Sequence, residues 1–75
     1  MSESLQDVLN EARDDIKVAT VHKRLIRAGL LLQYNTVRAW FREGAEPGIK
    51  HAAALFDALN MDDDQRARAV KAAAR

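Results

Sequence analysis

The side chains able to do chemistry are few and scattered. His22 and His51 are the only histidines, 29 residues apart, and the chain has no cysteine. Zinc sites draw on closely spaced His and Cys ligands, so no metal centre is expected. Disulfides and thiol nucleophiles are excluded outright. The run Asp62-Asp63-Asp64 lacks the alternating oxygens and the glycine of a calcium loop, and it reads as a helix cap. Asp14 and Asp15 are consecutive, so on a helix they do not face one another as a paired acid and base must. No glycine-rich phosphate cradle and no Ser-His-Asp set is present. The expectation is a protein that is not an enzyme and takes no cofactor.

What remains is a chemistry of contact. The net charge is only +1, but it is unevenly spread. Residues 1–16 balance at −4, residues 17–51 at +5, and residues 52–75 at zero. A basic centre suits a polyanionic partner, although a merely solvated basic face has the same composition. Within that centre stand Gln33, Tyr34, Asn35, Thr36, Arg38 and Arg42. Gln and Asn can bond adenine in a bidentate way, and Arg can do so with guanine. Lys23, Arg24, Arg27 and Lys50 can hold phosphates, helped by open N–H groups at helix starts. Tyr34 is expected near a helix start, against either a sugar–phosphate backbone or the Leu30–Leu32 turn. Glu43 and Glu46 repel phosphate, so the surface that meets the polyanion should point away from them.

These residues need helices to carry them. Fourteen alanines, three glycines, one proline and scarce aromatics make a helical composition, and no stretch alternates like a strand. Ser2 or Ser4 can cap a first helix with the stripe Leu5, Val8, Leu9, Ala12 and Ile16. Thr20 can cap a second, which buries Val21, Leu25, Ile26 and Ala28 and ends at Gly29. Gln33 or Asn35 can cap a third, with Val37, Trp40 and Phe41 inward and Gly44 as its stop. Pro47 separates it from a fourth helix over 49–59, whose expected core stripe is Ile49, Ala52, Ala53, Phe56 and Leu59, with Leu55 at the margin. A fifth, weakly amphipathic helix over 63–73 has only Ala67, Val70 and other alanines to bury.

The string Thr36-Val37-Arg38-Ala39-Trp40, then Gly44, then Pro47, resembles the recognition helix and exit of lambda-repressor-like and Cro-like helix-turn-helix domains. Ala52 to Leu59 is similar to the helix that follows in that family. The resemblance covers roughly half the chain. Gly29 and Val37 are eight apart, wider than the family's usual spacing. Either the turn is longer by two residues or the second helix ends beyond Gly29.

A chain of 75 residues is one domain at most and hides only about 60% of its unfolded surface. The reading is therefore an all-α domain of four or five helices, repressor-like, spanning 1–75, with its core in about 4–60 and a C-terminal helix or tail in 61–75. The resemblance implies sequence-specific binding of double-stranded DNA, as a small transcriptional regulator or as the DNA-binding module of a larger system. The alternative is a protein–protein interaction domain on the same scaffold without DNA readout. One such domain reads few base pairs, so a homodimer or a larger protein partner is expected, through the fifth helix or the acidic first. No apolar run spans a bilayer and no secretory leader is read. A cytoplasmic location, with no membrane partner, is the default.

Overall fold

Five helices and no strand make up the described residues, 3–74, of the computed structural model. They are α1 (Leu5–Arg13), α2 (Val18–Arg27), α3 (Tyr34–Arg42), α4 (Ile49–Ala58) and α5 (Asp63–Ala73). No helix among them is long and apolar enough to cross a membrane.

Local chemistry explains most of the boundaries. Ser4 caps α1: its Oγ accepts from the Asp7 N–H at 3.1 Å while the Asp7 carboxylate accepts from the Ser4 N–H. Ser2 lies outside the described residues. Asp62 and Gln65 build the same reciprocal cap on α5. The acidic run thus begins a helix, as its composition suggested. α1 does not run on into α2. Arg13 and Ile16 close a turn, Ile16 N–H to Arg13 carbonyl at 2.9 Å, with Asp14 at φ 52° and ψ −117°. α2 ends where Gly29, at φ 96°, lets the Leu30 N–H reach back to the Leu25 carbonyl and its own N–H to Ile26. Asn60, at φ 53°, performs the same closure for α4.

Three expectations need correcting. Thr20 does not cap α2. The helix starts three residues earlier behind Lys17, and the Thr20 N–H bonds the Lys17 carbonyl inside the first turn. Ile26 is 38% exposed and Ala28 exposed, because the buried line of α2 runs through Val18, Val21 and Leu25. In α4, Leu55 is fully buried whereas Ile49 is 95% exposed and Ala53 is exposed. The inward line is Ala52, Leu55, Phe56 and Leu59, and Ile49 at the start of the helix is left outside it.

α1 packs on α3 and α5, and α2 packs on α3 and α4. Val8, Leu9, Val21, Leu25, Val37 and Phe41 form the centre. α5 is held differently. Its buried residue is Ala69, while Ala67 is exposed and Val70 is 59% exposed. Arg68 bonds both Glu3, just before α1, and Glu11 on α1, with Asp64 at 3.6 Å. Hydrogen bonds donated to Glu3 and then Glu11 push the Arg68 guanidinium pKa up. The bond from Arg68 holds the Glu11 carboxyl below its ordinary range. Small alanines allow close approach, and the ion cluster fixes which side of α5 faces α1.

Candidate nucleic-acid interface

The helix α3 divides cleanly. Val37, Trp40 and Phe41, at spacings of three and one, are buried. Gln33, Asn35, Thr36, Arg38 and Arg42 are exposed, and Tyr34 is 42% exposed. The inner residues anchor the helix on α1 and α2, so the outer residues are displayed by a fixed rod and not by a loop.

Contacts at both ends set the position of that rod. At its exit, Asn10 of α1 donates Nδ2–H to the Phe41 carbonyl at 2.9 Å and to the Gln6 carbonyl at 3.0 Å. Arg13 lies over the Phe41 ring, 5.2 Å from its centroid, with Nη2 donating to Asn10 Oδ1 at 3.0 Å. Gly44 follows at φ 72°, a backbone conformation that favours glycine, with Gln6 Oε1 3.2 Å from where a Cβ would stand. At its entry, His22 Nε2 lies 2.6 Å from the Leu32 carbonyl oxygen. The His22 ring meets the Tyr34 ring edge-on at 5.9 Å. Tyr34 therefore packs on α2 through one edge and keeps part of its ring in solvent. Trp40 lies 6.0 Å from the His51 ring, which ties the first turn of α4 to α3.

The connection from α2 to α3 runs from residue 28 to 33, with α2 closed at Gly29. Of the two readings of the wide Gly29–Val37 spacing, the longer turn is the one the chain adopts. Leu30 and Leu32 are half-buried against the core and fix it, while Leu31 is 92% exposed.

The cations fall into three groups. Lys23 and Arg27, one helical turn apart on α2, are exposed, as is Lys50 on α4. Arg38 Nη1 stands 3.9 Å from Glu43 Oε2, with both side chains largely open. A contact of this length between exposed groups is worth at most about 1 kcal/mol, so phosphate or a base edge can replace it. Arg24 is different: its Nη1 donates to the Ala58 carbonyl at 2.7 Å, in the last turn of α4. That bond satisfies an otherwise unpaired helix-end carbonyl, and Arg24 is half-buried. It joins α2 to α4. The starts of α2, α3 and α4 carry no side-chain cap, which leaves their first-turn N–H groups to solvent or an anion.

Sequence reasoning did not single out Asn10 or Arg13. Both act across long separations in the chain, and nothing in a local pattern marks them. No known protein family, curated protein or solved structure matches the chain.

Proposed function

We propose that this protein binds double-stranded DNA in a sequence-specific way, with α3 lying in the major groove. It would serve as a small cytoplasmic transcriptional regulator or as the DNA-binding module of a larger system. One observation carries the reading. The buried side of α3 is wholly apolar, and its exposed side presents one amide, a hydroxyl and two guanidinium groups, with the Gln33 amide exposed at its N-cap. A helix of this kind meets the two demands of major-groove readout: a rigid mount and bidentate donors.

In this reading Gln33 and Asn35 pair with adenine and Arg38 and Arg42 with guanine, while Thr36 takes either a base edge or a phosphate. Lys23 and Arg27 neutralise phosphates beside the groove, Tyr34 lies against the sugar–phosphate backbone, and Lys50 stands at the margin. Arg24 is left out, because its bond to Ala58 already uses its end group. The resemblance to lambda-repressor-like domains in Thr36 to Pro47 supports the same conclusion, as does the order of five helices with the second and third as the reading pair.

The low net charge of +1 favours the competing reading, a protein-interaction domain. DNA binding measured by fluorescence anisotropy separates the two. The expected result is binding that is preferential for some sequences in a mixed pool. Arg38→Ala should cost about 1–3 kcal/mol on preferred sequences and relax the preference. Lys23→Ala should weaken every sequence alike. No binding at low salt, or equal behaviour of the two variants on all sequences, refutes DNA readout and leaves the interaction domain.

A further inference from the structure

Leu31 is 92% exposed, yet it does not hang from a loose loop. The Leu32 N–H bonds the Leu30 carbonyl at 3.0 Å, which closes a three-residue turn with Leu31 at its centre. Leu30 and Leu32, on either side, are half-buried and packed against the core. The Leu30 N–H reaches the Leu25 carbonyl at 3.1 Å, and His22 Nε2 meets the Leu32 carbonyl oxygen at 2.6 Å. Both shoulders of the turn are therefore tied to α2, and its tip presents one isobutyl group to solvent. A scattered surface leucine needs no explanation, but this one is fixed in place at the entry of α3, two residues before Gln33 and four before Asn35. It also lies inside an acid-free stretch: residues 16–42 contain no carboxylate and six Lys or Arg side chains.

We infer that Leu31 is a specificity-determining residue that packs on the C5-methyl group of a thymine, an inference that rests on the DNA-binding reading of α3. In that reading Gln33 and Asn35 pair with adenines. Every A·T pair sets the thymine methyl in the same major groove that displays adenine N6 and N7. The N-terminal residues of a recognition helix are the ones that meet base edges, and Leu31 adjoins that end. The two amides supply polar bonds to the adenine edge, and the leucine supplies an apolar surface for the apolar group beside it. Because the turn is already ordered, no backbone freedom is given up when it binds. A bilayer is a poorer match. With Leu30 and Leu32 half-buried, the turn offers a single apolar side chain, whereas interfacial anchoring scales with buried apolar area.

Fluorescence anisotropy on the sequence preferred in the mixed pool, with each thymine replaced singly by deoxyuridine, tests this. Deoxyuridine keeps the pairing edge and lacks only the methyl. For the wild type, at least one such replacement should weaken binding about fourfold, the share of one buried methyl. Leu31→Ala should bind the thymine site more weakly and lose nothing further with deoxyuridine at that position. Leu31→Met keeps an apolar reach and should keep the sensitivity. The preference set by Arg38 should survive in both variants. Unchanged helical circular dichroism confirms the fold, and if Leu31→Ala fails to fold, Leu31→Asn, polar and of similar shape, takes its place.

The absence of any sensitive thymine overturns the inference, as does a preferred site without A·T pairs. A sensitivity that persists in Leu31→Ala gives the methyl contact to another side chain and overturns it too. In these three outcomes sequence-specific DNA binding still stands. Binding without any sequence preference, or no binding at all, ends that reading and this inference together. Binding to phosphatidylserine vesicles that Leu31→Ala abolishes assigns the turn to a lipid surface and likewise overturns the thymine contact.

Discussion

Replacing Asn10 by alanine tests how α3 is held. The amide joins three backbone and side-chain partners: the Gln6 carbonyl at 3.0 Å, the Phe41 carbonyl at 2.9 Å, and Arg13 Nη2 at 3.0 Å. The Gln6 carbonyl sits within α1, where the helix itself supplies a donor, so little is lost there. The Phe41 carbonyl belongs to the last turn of α3, which leaves such groups without helical partners. Phe41 is 2% exposed, so water reaches that oxygen poorly. An unsatisfied buried acceptor costs about 1–3 kcal/mol. Arg13 adds to this, because its Nε is already buried without a partner and its Nη2 would lose its acceptor. A total near 2 kcal/mol follows, or a fall in Tm of about 8–16 °C for a domain of this size. Thermal unfolding followed by circular dichroism measures it. Amide exchange at Glu43 and Ala45, which both bond the Ala39 carbonyl at the exit of α3, should quicken more than exchange inside α2. A Tm within about 3 °C of wild type, or uniform quickening across the chain, refutes the idea that Asn10 fixes this exit.

Asp14 occupies φ 52° and ψ −117°, a turn position that suits glycine. Asp14→Gly should stabilise the protein by about 1 kcal/mol, read as a rise in Tm, after the entropic cost of glycine offsets part of the relieved strain. Glu11 is held ionised by Arg68, so its folded pKa lies below its unfolded one. The stability it contributes is present above the ordinary carboxylate range and is lost as pH falls through the folded value. Protection of the α5 amides, taken relative to the intrinsic exchange rate at each pH, should therefore fall in acid, and Glu11→Gln should shrink that dependence; an unchanged acid response counts against the cluster. If DNA is bound, Lys23 and Arg27, the cations set against phosphates, give a slope of log affinity against log salt near −1.8 per chain, with each alanine substitution reducing it by about 0.9. A flat salt dependence contradicts phosphate contact.

Much of the architecture was legible in the residues themselves. The spacings of Leu5, Val8 and Leu9 and of Val37, Trp40 and Phe41 fix the inner faces of α1 and α3, because a 3.6-residue period leaves one side apolar. Ser4, Asp62, Gly29 and Gly44 mark helix ends through short-range bonding and backbone freedom. The same periods expose Asn35, Thr36, Arg38 and Arg42, so most of the candidate surface follows from counting along the chain, while Gln33 is exposed as the extended residue that precedes the helix.

Packing between distant segments decided the rest. Ile49 shares a face with Ala52 and Phe56, yet it stays in solvent because the neighbour that meets the first turn of α4, Trp40, meets it at His51 and leaves Ile49 uncovered. Val70 is the larger side chain of α5, yet Ala69 is the one inside, because the bonds from Arg68 to Glu3 and Glu11 set the rotation of the helix. Arg24 reads as one more surface cation until Ala58 is brought to it across 34 residues. Periodicity specifies which side of a helix is apolar. Only the tertiary arrangement determines how far along that side a partner reaches, and which charged groups find one.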